Sequence, residues 1–409
     1  MKQVISYLGS GCKNCIKCVK SCPMDAISIV NEQVIIDEDK CINCDICIQA
    51  CDQKVLRIKN IDLESTLKKH DYNIALIPTA ILSDLKTYDE IKNIAHAIKE
   101  FGFDEVVQYS DIEGLLYKQG LKDSKNGEEV MLTSFCPTIN KLIINDYPTL
   151  IDHLLPYDYP VEIAAKKLRQ KYAQKDIAIY SLCECVGKLT LAKQPFGNED
   201  SNIDYALSVS QMFPRINQFK NDSQEELEIN EYGVKSIVGD LYGDKRLSAI
   251  SVEGLSQIRK ALDLIEFDQL KHVDLMALFA CFQGCIGGYY LWSNPFEGCF
   301  NIKSMLDKCK DNIEDINHLD YKKIESMIDD CNGNLASLDK KDYIKAHEIT
   351  SGNEKNFKER LAWFNKVNAI LETLPQYDCG SCGFANCRGL ASRIASGEVD
   401  DSLCRVKRR

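Results

Sequence analysis

The 409-residue chain has no apolar run approaching the ~18 to 20 residues that a membrane-spanning helix needs. It has no excess of positive charge either. Fifty Lys and Arg stand against 61 Asp and Glu, and the net charge of −11 argues against a nucleic-acid partner. The one basic stretch, RVKRR at 405–409, reads as a solvated tail. The opening MKQVISYLGSGC lacks the long apolar core of a secretory signal, so a cytoplasmic location is expected. No Walker loop is present and no convincing G-x-G-x-x-G follows a strand, which leaves nucleotide and flavin binding without support. Histidine is scarce: there are six, none at ligand spacing, and His272 reads as structural.

Cysteine is abundant, at twenty residues. A small secreted chain would use them in disulfides, but a reducing compartment keeps thiols free and makes metal the better reading. Their grouping supports metal. Eight precede residue 52, four follow residue 378, and eight are scattered between.

The first 60 residues contain CKNCIKCVKSCP and, 29 positions on, CINCDICIQACD. Both runs have the spacing C-x2-C-x2-C-x3-C, in which three thiolates converge on one cluster and the fourth reaches the other. Cys12, Cys15, Cys18 and Cys51 are therefore expected to hold one [4Fe-4S] cluster, and Cys41, Cys44, Cys47 and Cys22 a second. Between the runs, AISIV and QVIIDED read as short strands. Zinc is the competing reading, but its motifs rarely repeat this spacing. The segment resembles bacterial two-cluster ferredoxins, with Asp52 in place of the usual proline.

Near the other end, Cys379, Cys382, Cys387 and Cys404 are spaced C-x2-C-x4-C-x16-C. Gly380 and Gly383 permit a tight turn around a cluster, and Arg388 to Gly397 reads as helix. This is similar to the small four-cysteine cluster domain of electron-transfer subunits in anaerobes; a zinc knuckle is the alternative. The preceding NFKERLAWFNKVNAILETLP reads as a connecting helix.

Between these ends, YNIALIPTAI and KDIAIYSLCEC read as buried strands. YDEIKNIAHAIKEFG and YPVEIAAKKLRQKY read as helices with apolar residues at i, i+3 and i+4. The alternation predicts an α/β fold with mainly parallel sheets, whose sites form where strands end in loops. The expected domains are 1–60, 61–370 and 371–409. The acidic stretch NDSQEELEINEYG reads as a solvated loop.

Cys136, in TSFCP, and Cys183 and Cys185, in CECVGK, fall at such strand ends. With Cys281 and Cys285, in CFQGCIGG, they close a discontinuous four-thiolate site; the competing reading is inert buried thiols. Here the chain resembles the large-subunit domain of [FeFe]-hydrogenases, and the order of the three parts resembles that of the sensory members of that family. The resemblance implies a two-lobed central domain and a central [4Fe-4S] cluster on Cys136, Cys185, Cys281 and Cys285. It also implies a diiron unit with carbonyl and cyanide ligands, bridged by Cys285 and held through Lys188.

Four positions depart from that pattern. Phe135 stands where the family has a proton-passing cysteine, and Ala277 where a glutamate continues the relay. Phe279 replaces a methionine, and Glu184 the proline before the second-signature cysteine. A general acid must sit within hydrogen-bond reach of the atom it protonates, so these losses imply slow turnover at best. Lys188 reads equally as a buried anion binder or as an exposed side chain, and Cys183 as a neighbouring thiol or an alternative ligand. Cys299, Cys309 and Cys331 read as buried thiols.

Two functions follow. One is a hydrogenase-like oxidoreductase that senses hydrogen or redox state, or turns hydrogen over slowly, fed by the terminal clusters. The other is an electron-transfer protein whose central [4Fe-4S] cluster is ordinary or repurposed. Either implies a redox partner, a ferredoxin or a neighbouring redox subunit, and an anaerobic setting.

Overall fold

A computed structural model describes residues 4–124, 129–192, 200–216, 227, 229, 231–238, 249–308 and 357–407. Most of the acidic stretch, Cys309 and Cys331 lie outside the described residues. The chain divides into two compact units, Met1–Lys59 with Lys345–Arg409, and Asn60–Ile344. The two terminal segments, read from sequence as separate domains, thus pack together as one.

In the terminal unit, β1 (Ile5–Tyr7) pairs antiparallel with β4 (Leu56–Ile58). The expected strands between the cysteine runs form a hairpin of β2 (Ile27–Val30) and β3 (Gln33–Ile36), turned by Asn31 and Glu32 at φ 49° and 63°. Such paired positive φ angles match the right-handed twist of the flanking strands. Each cysteine run leads into one helical turn, Lys17–Ser21 and Ile46–Ala50. At the other end, helix Phe357–Glu372 is more than a connector. Its Val367, with Leu374 just beyond it, shares a small core with Phe384, Leu390 and Ala391. Helix Cys387–Ser396 is capped by the Asn386 side chain, which accepts from the Gly389 amide at 2.7 Å, and ends at Gly397 with φ 79°.

The central unit holds two parallel sheets. In one, β5 (Tyr72–Ile77) lies between β6 (Glu105–Gln108) and β8 (Ile177–Cys183), with β9 (Tyr205–Ser208) beyond. In the other, β11 (Leu275–Phe279) lies between β7 (Met131–Leu132) and β10 (Ala249–Glu253). β8 and β11 are buried at every residue, as strands covered on both faces must be. Their alternation divides the core. Ile77, Ala178, Tyr180 and Leu182 face one apolar layer, while Ile74, Ile177, Ile179, Leu275 and Ala277 face another that joins the two sheets. No helix among the described residues is long and apolar enough to cross a membrane.

Candidate iron–sulfur sites

All three central cysteine segments leave the carboxyl ends of parallel strands β7, β8 and β11, where open α/β sheets place their ligands. The first is tied down by Thr133, whose hydroxyl accepts from the Leu278 amide at 3.0 Å, and by Asn140, which donates to the Ser134 carbonyl at 2.7 Å. Cys136 then caps helix Pro137–Asp146, with proline at its first position. Burial raises the pKa of its thiol, and the amides of Ala280, Ile139 and Thr138, close to the sulfur, partly oppose this. Ala280 belongs to the third segment, so this contact brings the first and third signatures together.

The second segment meets both others through glycines. A side chain at Gly187 would come within 2.8 Å of Thr138 Oγ1, and one at Gly288 within 2.7 Å of the Glu184 carbonyl. The Tyr290 amide bonds that same carbonyl at 2.9 Å. Cys285 consequently lies within electrostatic reach of Cys136, and Cys185 within reach of Cys281. All four are of intermediate exposure. Burial nevertheless pushes the thiols of Cys136, Cys185 and Cys285 above the usual range. Such thiols become thiolates when a metal compensates the charge, so this donor set fits an iron–sulfur cluster.

Beside it lies a buried charge array that sequence reading left open. Lys188 is buried, and its ammonium is 2.6 Å from Glu184 Oε1, with side-chain exposures of 9% and 1%. Burial alone would lower the lysine pKa. The Glu184 carboxylate together with Tyr109, Cys285 and Glu113 outweighs this and holds it well above the usual value. The ammonium also stands 5.9 Å over the Tyr109 ring. Glu113, from helix Ser110–Ser124, is buried with Oε2 unpartnered, and burial raises its pKa to about 7. The cation that would hold an anionic diiron ligand is therefore already neutralised within the chain. On this observation the pocket fits a [4Fe-4S] cluster and does not fit the diiron unit as well.

Cys183 is wholly buried, and its sulfur lies 3.3 Å from the Ser181 hydroxyl. Phe135, Ala277 and Phe279 all belong to the apolar layer that joins the sheets, so none offers a proton. Cys299 is buried in the other layer.

In the terminal unit, Cys18 lies within electrostatic reach of Cys12, Cys15 and Cys51, and Cys47 within reach of Cys22, Cys41 and Cys44. The first four line a cavity of about 190 Å³ together with Ile16, Ile29 and Val55. The loops pay conformationally for this convergence. Asn14 and Ile16 in one run, and Asn43 and Asp45 in the other, all adopt left-handed backbone at φ 48° to 58°. For β-branched Ile16 this is a strained state, of the kind that persists where the surroundings impose it. Burial raises the thiols of Cys18 and Cys44 to about 11 and about 12. Cys382 lies within reach of Cys379 and Cys387, and Cys404 is buried in the same small core. Among the described residues no three ligand side chains gather closely enough to hold a single ion.

Residues 75–243 match the family model of the iron only hydrogenase large subunit, C-terminal domain. Residues 5–60 match a 4Fe-4S dicluster domain and residues 374–406 an Fe-S cluster model. Among solved structures, a variant of an [FeFe]-hydrogenase from Chlamydomonas reinhardtii is similar over 68% of this chain and 95% of its own, at 14% identity and a TM-score of 0.50. An [FeFe]-hydrogenase structure concerned with oxygen inactivation of the 2Fe subcluster is similar over the same shares, at 13% identity and a TM-score of 0.50. At such identities the likeness speaks for the fold. A component of the ion-translocating oxidoreductase complex of Thiobacillus denitrificans is 51% identical over 39 residues, 10% of this chain and 19% of that relative's length.

Proposed function

We propose, for a chain that belongs to the hydrogenase-like family with an N-terminal ferredoxin domain, that it is an electron-transfer protein built on the hydrogenase fold. Four [4Fe-4S] clusters would be held by Cys12, Cys15, Cys18 and Cys51; by Cys22, Cys41, Cys44 and Cys47; by Cys136, Cys185, Cys281 and Cys285; and by Cys379, Cys382, Cys387 and Cys404. Such clusters, held by these thiolates, would supply one-electron storage, with the terminal and central sites serving as stations for electrons. The partner is a one-electron redox protein, a ferredoxin or a neighbouring redox subunit, in a reducing cytoplasm that keeps the thiols free.

The buried Lys188–Glu184 pair carries this reading, because it occupies the cation beside Cys285 with a carboxylate of the chain itself. The apolar character of Phe135, Ala277 and Phe279 supports it further, since no proton donor stands at those positions. The test is infrared spectroscopy with iron counting on protein made anaerobically alongside hydrogenase maturation factors. A silent carbonyl and cyanide window with about 16 irons per chain is the expected result.

One observation favours a second reading, in which the protein senses hydrogen or turns it over slowly with a diiron unit at Cys285. Lys188 is buried within electrostatic reach of that sulfur, where the family resemblance places an anion-binding lysine. Carbonyl and cyanide bands with about 18 irons would establish it in place of the first.

A further inference from the structure

The loop that carries Cys379 and Cys382 rests on the wall of the first N-terminal cysteine site. Gly380 and Gly383 both adopt left-handed backbone, at φ 75° and 90°. Their lack of side chains serves a second purpose beyond the turn. A first carbon at Gly380 would fall 2.7 Å from Ile16 Cδ1 and 3.0 Å from Lys20 Cε, and one at Gly383 would run into the Ile29 carbonyl. The Ile29 amide donates to the Gly383 carbonyl at 2.9 Å, and the Lys20 ammonium donates to the Asp378 carbonyl. Ile16 and Ile29 are both walls of the cavity lined by Cys12, Cys15, Cys18 and Cys51. Ile16 also lies between two of those cysteines, as Gly380 lies between Cys379 and Cys382.

The second N-terminal site is approached differently. Asn386 donates to Asp25 at 3.2 Å and Arg393 pairs with Asp37 at 3.1 Å. These are side-chain contacts from the following helix, and none involves the segment between Cys379 and Cys382.

Electron tunnelling weakens exponentially with the thickness of protein between two centres, so the ligand loops that touch define the shortest path. We infer that the C-terminal four-cysteine centre exchanges electrons directly with the centre on Cys12, Cys15, Cys18 and Cys51, and that Gly380 and Gly383 are positioning residues for that approach. The inference rests on the cluster assignment proposed above. One electron leaves the reduced cluster and reduces the oxidised one. No bond or proton moves, and the electron is supplied by an external one-electron donor such as a ferredoxin.

The test uses the full, iron-loaded chain reduced with dithionite, and reads spin–spin splitting by electron paramagnetic resonance. The splitting of the C-terminal signal should vanish on Cys15→Ser and survive Cys44→Ser. Gly383→Val should abolish it at unchanged iron content. Lys20→Met, which removes the ammonium bonded to the Asp378 carbonyl, should weaken it severalfold and serves if Gly383→Val does not fold. Splitting lost on Cys44→Ser and kept on Cys15→Ser, or a wild-type spectrum that is the plain sum of isolated clusters, overturns the inference. If Cys382→Ser with Cys387→Ser removes no iron, the cluster assignment itself fails, and the iron count reports that separately.

Discussion

Removing one partner of the Lys188–Glu184 pair should destabilise the central unit more than any exposed ion-pair change. The two groups are 2.6 Å apart with side-chain exposures of 9% and 1%, so neither can turn to water when the other is lost. Breaking a buried pair from one side costs about 3–5 kcal/mol, roughly a hundred- to several-thousand-fold in the unfolding equilibrium. Lys188→Met should fall at the upper end, because neither Glu184 carboxylate oxygen has a hydrogen-bond donor to fall back on. Glu184→Leu should cost less, since Tyr109 and Glu113 still face the ammonium. Replacing both, as Glu184→Leu with Lys188→Met, should recover most of the loss, because two apolar side chains avoid the desolvation cost altogether. Anaerobic urea unfolding followed by circular dichroism gives all four corners of the cycle. The lysine pKa is raised, so its contribution is complete at neutral pH and is lost only as pH climbs past the ordinary lysine value. A coupling energy below about 0.5 kcal/mol would refute the buried pair and, with it, the argument that the pocket is internally neutralised.

Other outcomes follow from the same pocket. Glu113 has a folded pKa of about 7 against an ordinary 4.5, so the folded state holds the extra proton. Stability should fall by about 3 kcal/mol as pH rises through that window, and Glu113→Gln should flatten the profile in chemical unfolding. Cys183→Ala should retain all iron because its thiol is engaged with Ser181, whereas Cys185→Ala should lose about four irons per chain in a colorimetric assay. Gly187→Ala should cost about 1–3 kcal/mol by crowding Thr138 Oγ1, and adding Thr138→Ala should restore much of it; an unchanged thermal midpoint in the single variant would deny that the two segments meet there.

The parts legible from sequence are those set by neighbours along the chain. A C-x2-C-x2-C-x3-C run brings three thiols of one expected site together within about ten residues, so its chemistry follows from spacing and a few left-handed residues such as Asn14 and Ile16. β8 and helix Pro160–Lys171 were readable for a similar reason: a strand buried on both faces is a continuous apolar run, and a half-buried helix repeats at i, i+3 and i+4. The Glu184–Lys188 spacing was equally visible at i, i+4, but not its burial, which depends on Tyr109 and Glu113 arriving some 70 residues earlier in the chain. Nor could spacing show Gly383 seated on Ile29, over 350 positions away, which made one unit of two segments read as separate domains. The terminal cysteine runs are local, so their spacing is readable in the sequence. The charge state of the central pocket and the neighbour of the C-terminal centre depended on which distant surfaces exclude water from one another, and only the folded chain decided that.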